Sequence, residues 1–459
     1  MKRAPFPALA LLLLLPVSVR GQAQAGAEPA LTLADLERMA LEKNPTLLQA
    51  TAEVEAAMGR ARQAGLLPNP TVGYSGDELS LRGNERRGKN GFFVEQTIPL
   101  GGKLGLSRDV FQREVREAEA NLEAQRLRVI NSVRSLYYEA LIAARRVRVR
   151  ERLAQLSNEA VDISRQLFNT GAADRPDLLE SEIEAREAGL ALVTARNEEF
   201  HNWLGLAVMV GEPGLKPQPL AGVEELAVPE LDREAAVEKL MKDSPQIHAA
   251  REKIERAEAV VKRANRETFP DLFLKAGSHY DRELLPETGR PVGWEAFVEA
   301  GISIPIFNRN QGNRAAAEAQ LSRARAEIRR TELALRGQLS GVFEVYLTSL
   351  RSADEYRSEI IPRAEQAYRL YIDRFREMGA AYPQVLIAQR TLFQTTERYL
   401  RSLEDAQRAA LQIQGFLLVD GLEAPPVPGQ LDTGIRTGEL PGAVRSGELP
   451  LAVRPAGKE

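Results

Sequence analysis

The chain has 459 residues, with 61 Lys and Arg set against 64 Asp and Glu, for a net charge of -3. That balance gives no basic face for nucleic acid, and the length leaves room for two or three ordinary domains. Cys is absent, which excludes disulfides, thiol chemistry, Cys-held metals and a lipidated Cys.

The first residues, Met1-Lys2-Arg3, precede an apolar run from Ala8 to Leu15 and a small-residue stretch ending Ala23-Gln24-Ala25. Charge, apolar run and Ala-x-Ala in that order predict a secretory signal over 1–25, cut after Ala25. No later run reaches the ~20 apolar residues a membrane-spanning helix needs. The chain is therefore predicted to be exported, and either soluble outside the inner membrane or embedded by strands.

A first repeat is assigned to 26–212. Thr32 caps a helix that Asp35 closes as in a capping box, and Asn44-Pro45 restarts it before a stop at 66–70. Thr71 to Leu81 and Phe92 to Ile98 alternate as strands, separated by a polar, Gly-rich loop over 82–91. Pro99-Leu100-Gly101-Gly102 ends this hairpin. From Gly105 to Phe168 there is no further Gly or Pro, which predicts a rod of roughly 95 Å. Gly171 supplies the left-handed residue that closes it, and a further helix starts at Asp174 or Pro176 and runs to about Leu206.

Pro213, Pro217, Pro219 and Pro229 mark a linker over 213–230. The plan then returns over 231–420. Ser244-Pro245 falls 200 residues after Asn44-Pro45, Pro305 falls 206 after Pro99, and Gly379 falls 208 after Gly171. Trp294 to Ile304 reads as a strand, with Ala296, Val298, Ala300, Ile302 and Ile304 on one face and Glu295 and Glu299 on the other. A second rod spans Arg314 to Met378, interrupted only by Gly337, Gly341 and Pro362. An internal duplication accounts for this order. Thr32–Ala64 and Asp174–Leu206 together measure about 99 Å as helix, the length of the rod between them. They can lie end to end beside it, which puts both hairpins at one end. The Pro- and Gly-rich remainder, 421–459, is predicted to be a disordered tail.

Four strands cannot close a barrel, and open edges do not survive in hydrocarbon. Either several copies pool them or the hairpins edge a soluble sheet. In a pooled barrel, Glu295 and Glu299 would face a wet interior.

Up to about residue 420 the sequence resembles the TolC-like outer-membrane efflux proteins, and especially their heavy-metal-efflux branch, which works with RND-type pumps. The residues that carry this are Leu31-Thr32-Leu33 with Asn44-Pro45, Gln96 to Lys103, Ile302 to Asn308, Gly171 with Asp177-Leu178-Leu179, and Gly379 with Val385-Leu386. The resemblance implies a mainly α fold with a small β part. Each protomer is an internally duplicated, long-helix coiled-coil segment of an α-barrel. Three copies would each give four strands to one transmembrane β-barrel, with helices crossing the periplasm. It implies a passive exit duct, fed by an inner-membrane RND-type pump through a periplasmic adaptor, carrying heavy-metal cations. Alternatives are a type I secretion or multidrug-efflux duct, or a soluble periplasmic coiled-coil protein. The adaptor would dock on Arg165, Leu167, Gly171 and Asp174 in the first half, and on Arg374, Phe375, Gly379 and Tyr382 in the second. A lumen constriction would fall at Asp177 and Glu180, although their second-half counterparts are Val385 and Ala388. Some relatives begin with a lipid-bearing Cys; this chain is expected to be held by its barrel alone.

His201, His248 and His279 stand on separate elements without ligand spacing, and no nucleophile, base and orienter come together. No enzyme, cofactor or resident metal is expected.

Overall fold

The computed structural model describes residues 30–78, 88–222, 227–377, 379 and 381–428. The proposed signal, most of the first hairpin loop (82–87) and most of the tail lie outside that range.

The first half runs α1 (Leu33–Lys43), α2 (Pro45–Ala64), β1 (Thr71–Asp77), β2 (Lys89–Ile98), α3 (Lys103–Asn169) and α4 (Arg175–Met209). The second runs α5 (Arg233–Asp243), α6 (Pro245–Arg266), β3 (Leu272–Leu284), β4 (Pro291–Ile302), α7 (Gln311–Glu355), α8 (Ile361–Arg376) and α9 (Tyr382–Gln414). The halves thus share one order of elements.

Local chemistry sets the boundaries. The Thr32 hydroxyl accepts the Asp35 N–H at 3.2 Å, and Asn44 caps α2 by accepting the Thr46 N–H at 2.9 Å. Gly101 and Gly102 take φ of +70° and +71°, so the chain turns out of β2 into α3 through two left-handed residues. The 67 residues of α3 make a rod of roughly 100 Å. The helices α1, α2 and α4 pack along it, as do α6 and α9 from the second half.

The second rod does not break at Pro362. Proline lacks an N–H and clashes with the carbonyl four residues earlier. A π turn, Tyr356–Ile360, absorbs that mismatch and joins α7 to α8. The core is accordingly a series of small clusters rather than one thick interior. One gathers Leu36, Val133, Leu141 and Leu206; another gathers Leu335, Leu339, Phe343 and Tyr346.

The strands form one antiparallel sheet in the order β1-β2-β3-β4, so the two hairpins lie side by side at one end of the rods. Three expectations about the sheet change. Lys89, Asn90 and Gly91, read as loop, belong to β2, because their backbones pair with both Ser75–Asp77 and His279–Asp281. A turn-like composition is overridden when partners exist on both sides. β1 ends at Asp77. β4 begins at Pro291 and ends at Ile302, short of Ser303 and Ile304, where Pro305 withdraws a donor.

Residues 421–428, assigned to the tail, are held. Asn131 Nδ2 donates to the carbonyls of Gly415 and Leu418 at 2.8 and 3.2 Å, Ser132 Oγ accepts the Gly421 N–H at 2.9 Å, and Gln125 Nε2 donates to Glu423 O at 3.2 Å. Polar side chains of α3 satisfy the strap's backbone, which composition alone does not reveal.

Candidate functional site

Three features could serve transport: the faces of the sheet, the turns at the far end of the rods, and the charged groove between α4 and α9.

Alternation divides the sheet. On one face lie Val72, Tyr74, Phe92, Val94, Leu274, Trp294, Val298 and Ile302, all exposed, with Val298 at 79% and Trp294 at 67%. A contiguous apolar surface this exposed marks a face that meets lipid or another chain. Tyr74 stands edge-on to Phe92 with centroids 5.5 Å apart, and Tyr280 edge-on to Trp294 at 5.8 Å. The opposite face carries Lys89, Glu95, Lys275, His279, Asp281, Glu295 and Glu299. Glu295 is half-buried, accepting from His279 Nε2 at 2.9 Å and Lys89 Nζ at 3.4 Å. Glu299 is exposed and sits opposite Lys275, whose ammonium lies 4.4 Å above the Phe93 ring. Both Glu residues therefore occupy the polar face, as the alternation predicts.

At the other end, Gly171 has φ +72°, and the Ala172 N–H returns to Leu167 O at 2.8 Å. A Cβ at Gly171 would meet nothing within 4 Å, so glycine is required by backbone conformation alone. Arg165 pairs with Glu182 at 3.1 Å, Leu167 packs against the core beneath, and Asp174 stands at the N-cap position of α4 without a side-chain capping bond. Arg374 is exposed, and the Gly379 N–H donates to Arg374 O at 2.8 Å. Phe375 and Tyr382 are instead core residues, 3% and 1% exposed, with ring centroids 5.7 Å apart. Their side chains support the turn from within and present no surface of their own in the protomer. Burial, reinforced by Glu184 and Glu180, pushes the Tyr382 phenol far above its ordinary value, so it stays neutral.

Asp177 is half-buried in the first turn of α4 and Glu180 is exposed. An acidic side chain there also complements the helix N-terminus, which is a purely structural service. Val385 and Ala388, their second-half counterparts, are buried. A residue not singled out in the sequence stands deeper. Glu184, 12% exposed in its side chain, accepts from Arg390 of α9 at 2.7 and 3.1 Å, tying the two halves near the turns. Only the helical spacing of Asp177, Glu180 and Glu184 hints at it.

Farther along the rods, Arg146 reaches Glu404, Glu397 and Glu198 at 3.2, 3.5 and 3.7 Å, and Arg150 reaches Glu397 at 3.0 Å. These arginines need acidic partners, and α4 and α9 supply them. They line a groove of 810 Å³ over α3. No group of three His, Cys, Asp or Glu that could hold a metal ion occurs among the described residues, and no described helix is long and apolar enough to cross a membrane.

A sheet apolar on one face and polar on the other, continuous with rods of this length, defines the wall segment of a transmembrane conduit. The chain belongs to the outer membrane efflux protein family, whose model matches residues 36–212 and 236–417. Its relatives include the cobalt-zinc-cadmium resistance protein CzcC of Cupriavidus metallidurans, 27% identical over 84% of this chain and 90% of that protein. The nickel-cobalt-cadmium resistance protein NccC of Alcaligenes xylosoxydans xylosoxydans is 24% identical over 72% of each. Among solved structures, the outer-membrane channel OprN superposes with a TM-score of 0.71 at 18% identity, over 85% of this chain and 90% of that one. The chain is thus a non-catalytic outer-membrane efflux channel of the tripartite kind.

Proposed function

We propose that three copies of this chain form the exit duct through which a proton-driven inner-membrane pump of the RND type, coupled by a periplasmic adaptor, discharges heavy-metal cations. The observation that carries the reading is the incompleteness of the wall. Among the described residues the four-stranded sheet leaves the outer edges of β1 and β4 unpaired, and its divided faces continue into rods of roughly 100 Å. Outer-membrane barrels begin at about eight strands, so three copies give a closed barrel with a lumen. The cargo rests on CzcC and NccC, whose names concern resistance to cobalt, zinc, nickel and cadmium. The adaptor would meet the turns at Arg165, Gly171, Asp174, Arg374 and Gly379, and a threefold ring of Asp177, with Glu180 one turn on, would favour cations at that end.

Detergent extraction of outer membranes should yield a trimer that conducts in planar bilayers. A monomer in the aqueous periplasmic fraction defeats the duct. Cells lacking the chain should lose growth in cobalt, zinc or cadmium and regain it on complementation. Unchanged metal tolerance with an intact conducting trimer assigns the duct a drug or protein cargo instead.

A further inference from the structure

Between its aromatic row and the helices, the apolar face of the sheet is shorter than the lipid-facing band of an outer-membrane barrel. The row Ile98–Leu272–Ile302 ends the sheet on the helix side, and Tyr280–Trp294 is the aromatic row near the other end. Eight residues separate Trp294 from Ile302, and at a tilt of ~40° they climb only ~20 Å. The lipid-facing band of such barrels is ~25 Å tall and has an aromatic girdle at each interface. The sheet supplies one girdle, with Leu284, Leu285 and Val292 exposed beyond it, and on the helix side falls ~5 Å short of the other.

The missing height lies in the connections to the helices. Ile304 stands two residues beyond Ile302 and is 67% exposed; Ile306 follows, and Phe307 is 92% exposed. At the opposite edge, Leu66 and Leu67 are also exposed. Pro68 O beside them accepts from Gln96 Nε2 at 2.9 Å, and Gln96 lies on the apolar face of β2. Between them Phe269 is 47% exposed, with the Arg266 guanidinium 4.9 Å above its ring. Arg309, exposed beside Phe307, donates through Nε to Ile306 O at 3.2 Å. Apolar bodies with guanidinium tips, directly below a lipid-facing surface, match the boundary between acyl chains and phosphates.

We propose that these sheet-to-helix connections form a phospholipid-binding collar. Ile304, Ile306, Phe307, Leu66 and Leu67 sit at the acyl boundary of the periplasmic leaflet, and Arg266 and Arg309 bind its phosphates. The collar supplies the second interface anchor that the sheet lacks. It also fixes how deeply the rods hang below the membrane. The inference rests on the outer-membrane seating of the sheet.

The absence of Cys makes the test direct. Phe307→Cys, at a fully exposed site, is labelled with a nitroxide, and the protein is reconstituted in vesicles of phosphatidylethanolamine and phosphatidylglycerol. Collision with oxygen, which concentrates in lipid, is compared with collision with a water-soluble nickel chelate. The chelate collisions at position 307 should fall well below those of Phe168→Cys, at the helical end, while oxygen collisions rise above them. Equal access to the chelate at 307 and 168 places Phe307 in water, and protection from both agents places it against a second copy. Either result overturns the collar. Val298→Cys, in the middle of the apolar face, separates the two ideas: chelate access there defeats the seating of the sheet itself.

Discussion

Single residues act here mostly through backbone conformation and buried charge. Gly171 carries a left-handed backbone with open space around it, so Gly171→Val strains only the chain, by about 1–3 kcal/mol. Metal resistance should fall while heat-resistant trimer on gels is unchanged, and Gly171→Asn, which tolerates that region, should retain function. Equal resistance in all three forms would show that the turn shape does not matter to the adaptor. Buried charge is concentrated where α3 meets α6. Arg256, 3% exposed, donates to Glu114 and to Glu117 at 3.2 Å, and Arg60 reaches Glu114 at 2.6 Å. Removing the cation in Arg256→Leu leaves buried Glu117 without its hydrogen-bonded cation and Glu114 with Arg60 alone, and should cost about 3–5 kcal/mol, read as a lowered midpoint of thermal unfolding. Burial raises the Glu117 pKa against the pull of Arg256. A carboxyl raised above its unfolded value binds more proton in the folded state, so its contribution to stability grows as pH falls through the folded pKa towards about 4.5. Glu117→Gln should remove that component of the pH dependence; an unchanged pH profile of the unfolding midpoint would refute it.

At the scale of elements, much was readable because the signals were local. Thr32, Asn44-Pro45, Gly101-Gly102 and Gly171 mark boundaries by the chemistry of caps and turns, and the strand over 294–302 declared its two faces by alternation. What escaped was decided by distant partners. Lys89 to Gly91 join β2 because β3 lies alongside, and Phe375 and Tyr382 become core because α8 and α9 fold together over them. The strap over 415–428 depends on Asn131, Ser132 and Gln125 roughly 290 residues earlier, and the Glu184–Arg390 pair joins helices from different halves. That pair yields a prediction at this scale. Arg390→Ala leaves Glu184 unpaired at 12% side-chain exposure and removes the link between α4 and α9 nearest the turns. The helix ends should separate more often, which would raise single-channel conductance in planar bilayers. Unchanged conductance would assign the pair to stability alone.

The whole molecule is organised laterally, and the same order holds at both levels. β1 and β4 are the outer strands of the sheet. Below them, α4 packs chiefly on α3, while α7 packs on α6 and α9. One side of the wall is therefore β1 over α4, and the other is β4 over α7 and α8. Each edge bares apolar side chains: Ile183, Leu190, Val193 and Phe200 on α4, and Leu333, Leu347 and Leu370 on α7 and α8. In the proposed trimer, unlike edges would join head to tail, and one threefold rotation would close both sheet and helices. The consequence separates assembly from folding. Leu190 is 70% exposed in the protomer, so Leu190→Glu should change the fold of a single chain by no more than about 0.5 kcal/mol. In the closed ring the same side chain would be covered, and an unpaired carboxylate there carries a desolvation penalty of several kcal/mol. Leu190→Glu should therefore abolish the trimer on native gels while helical circular dichroism stays at the parent level. Phe200→Glu should do the same from the next turns of that stripe. A variant that remains trimeric would place α4 on the outside of the tube and reverse the side of the wall on which neighbours meet.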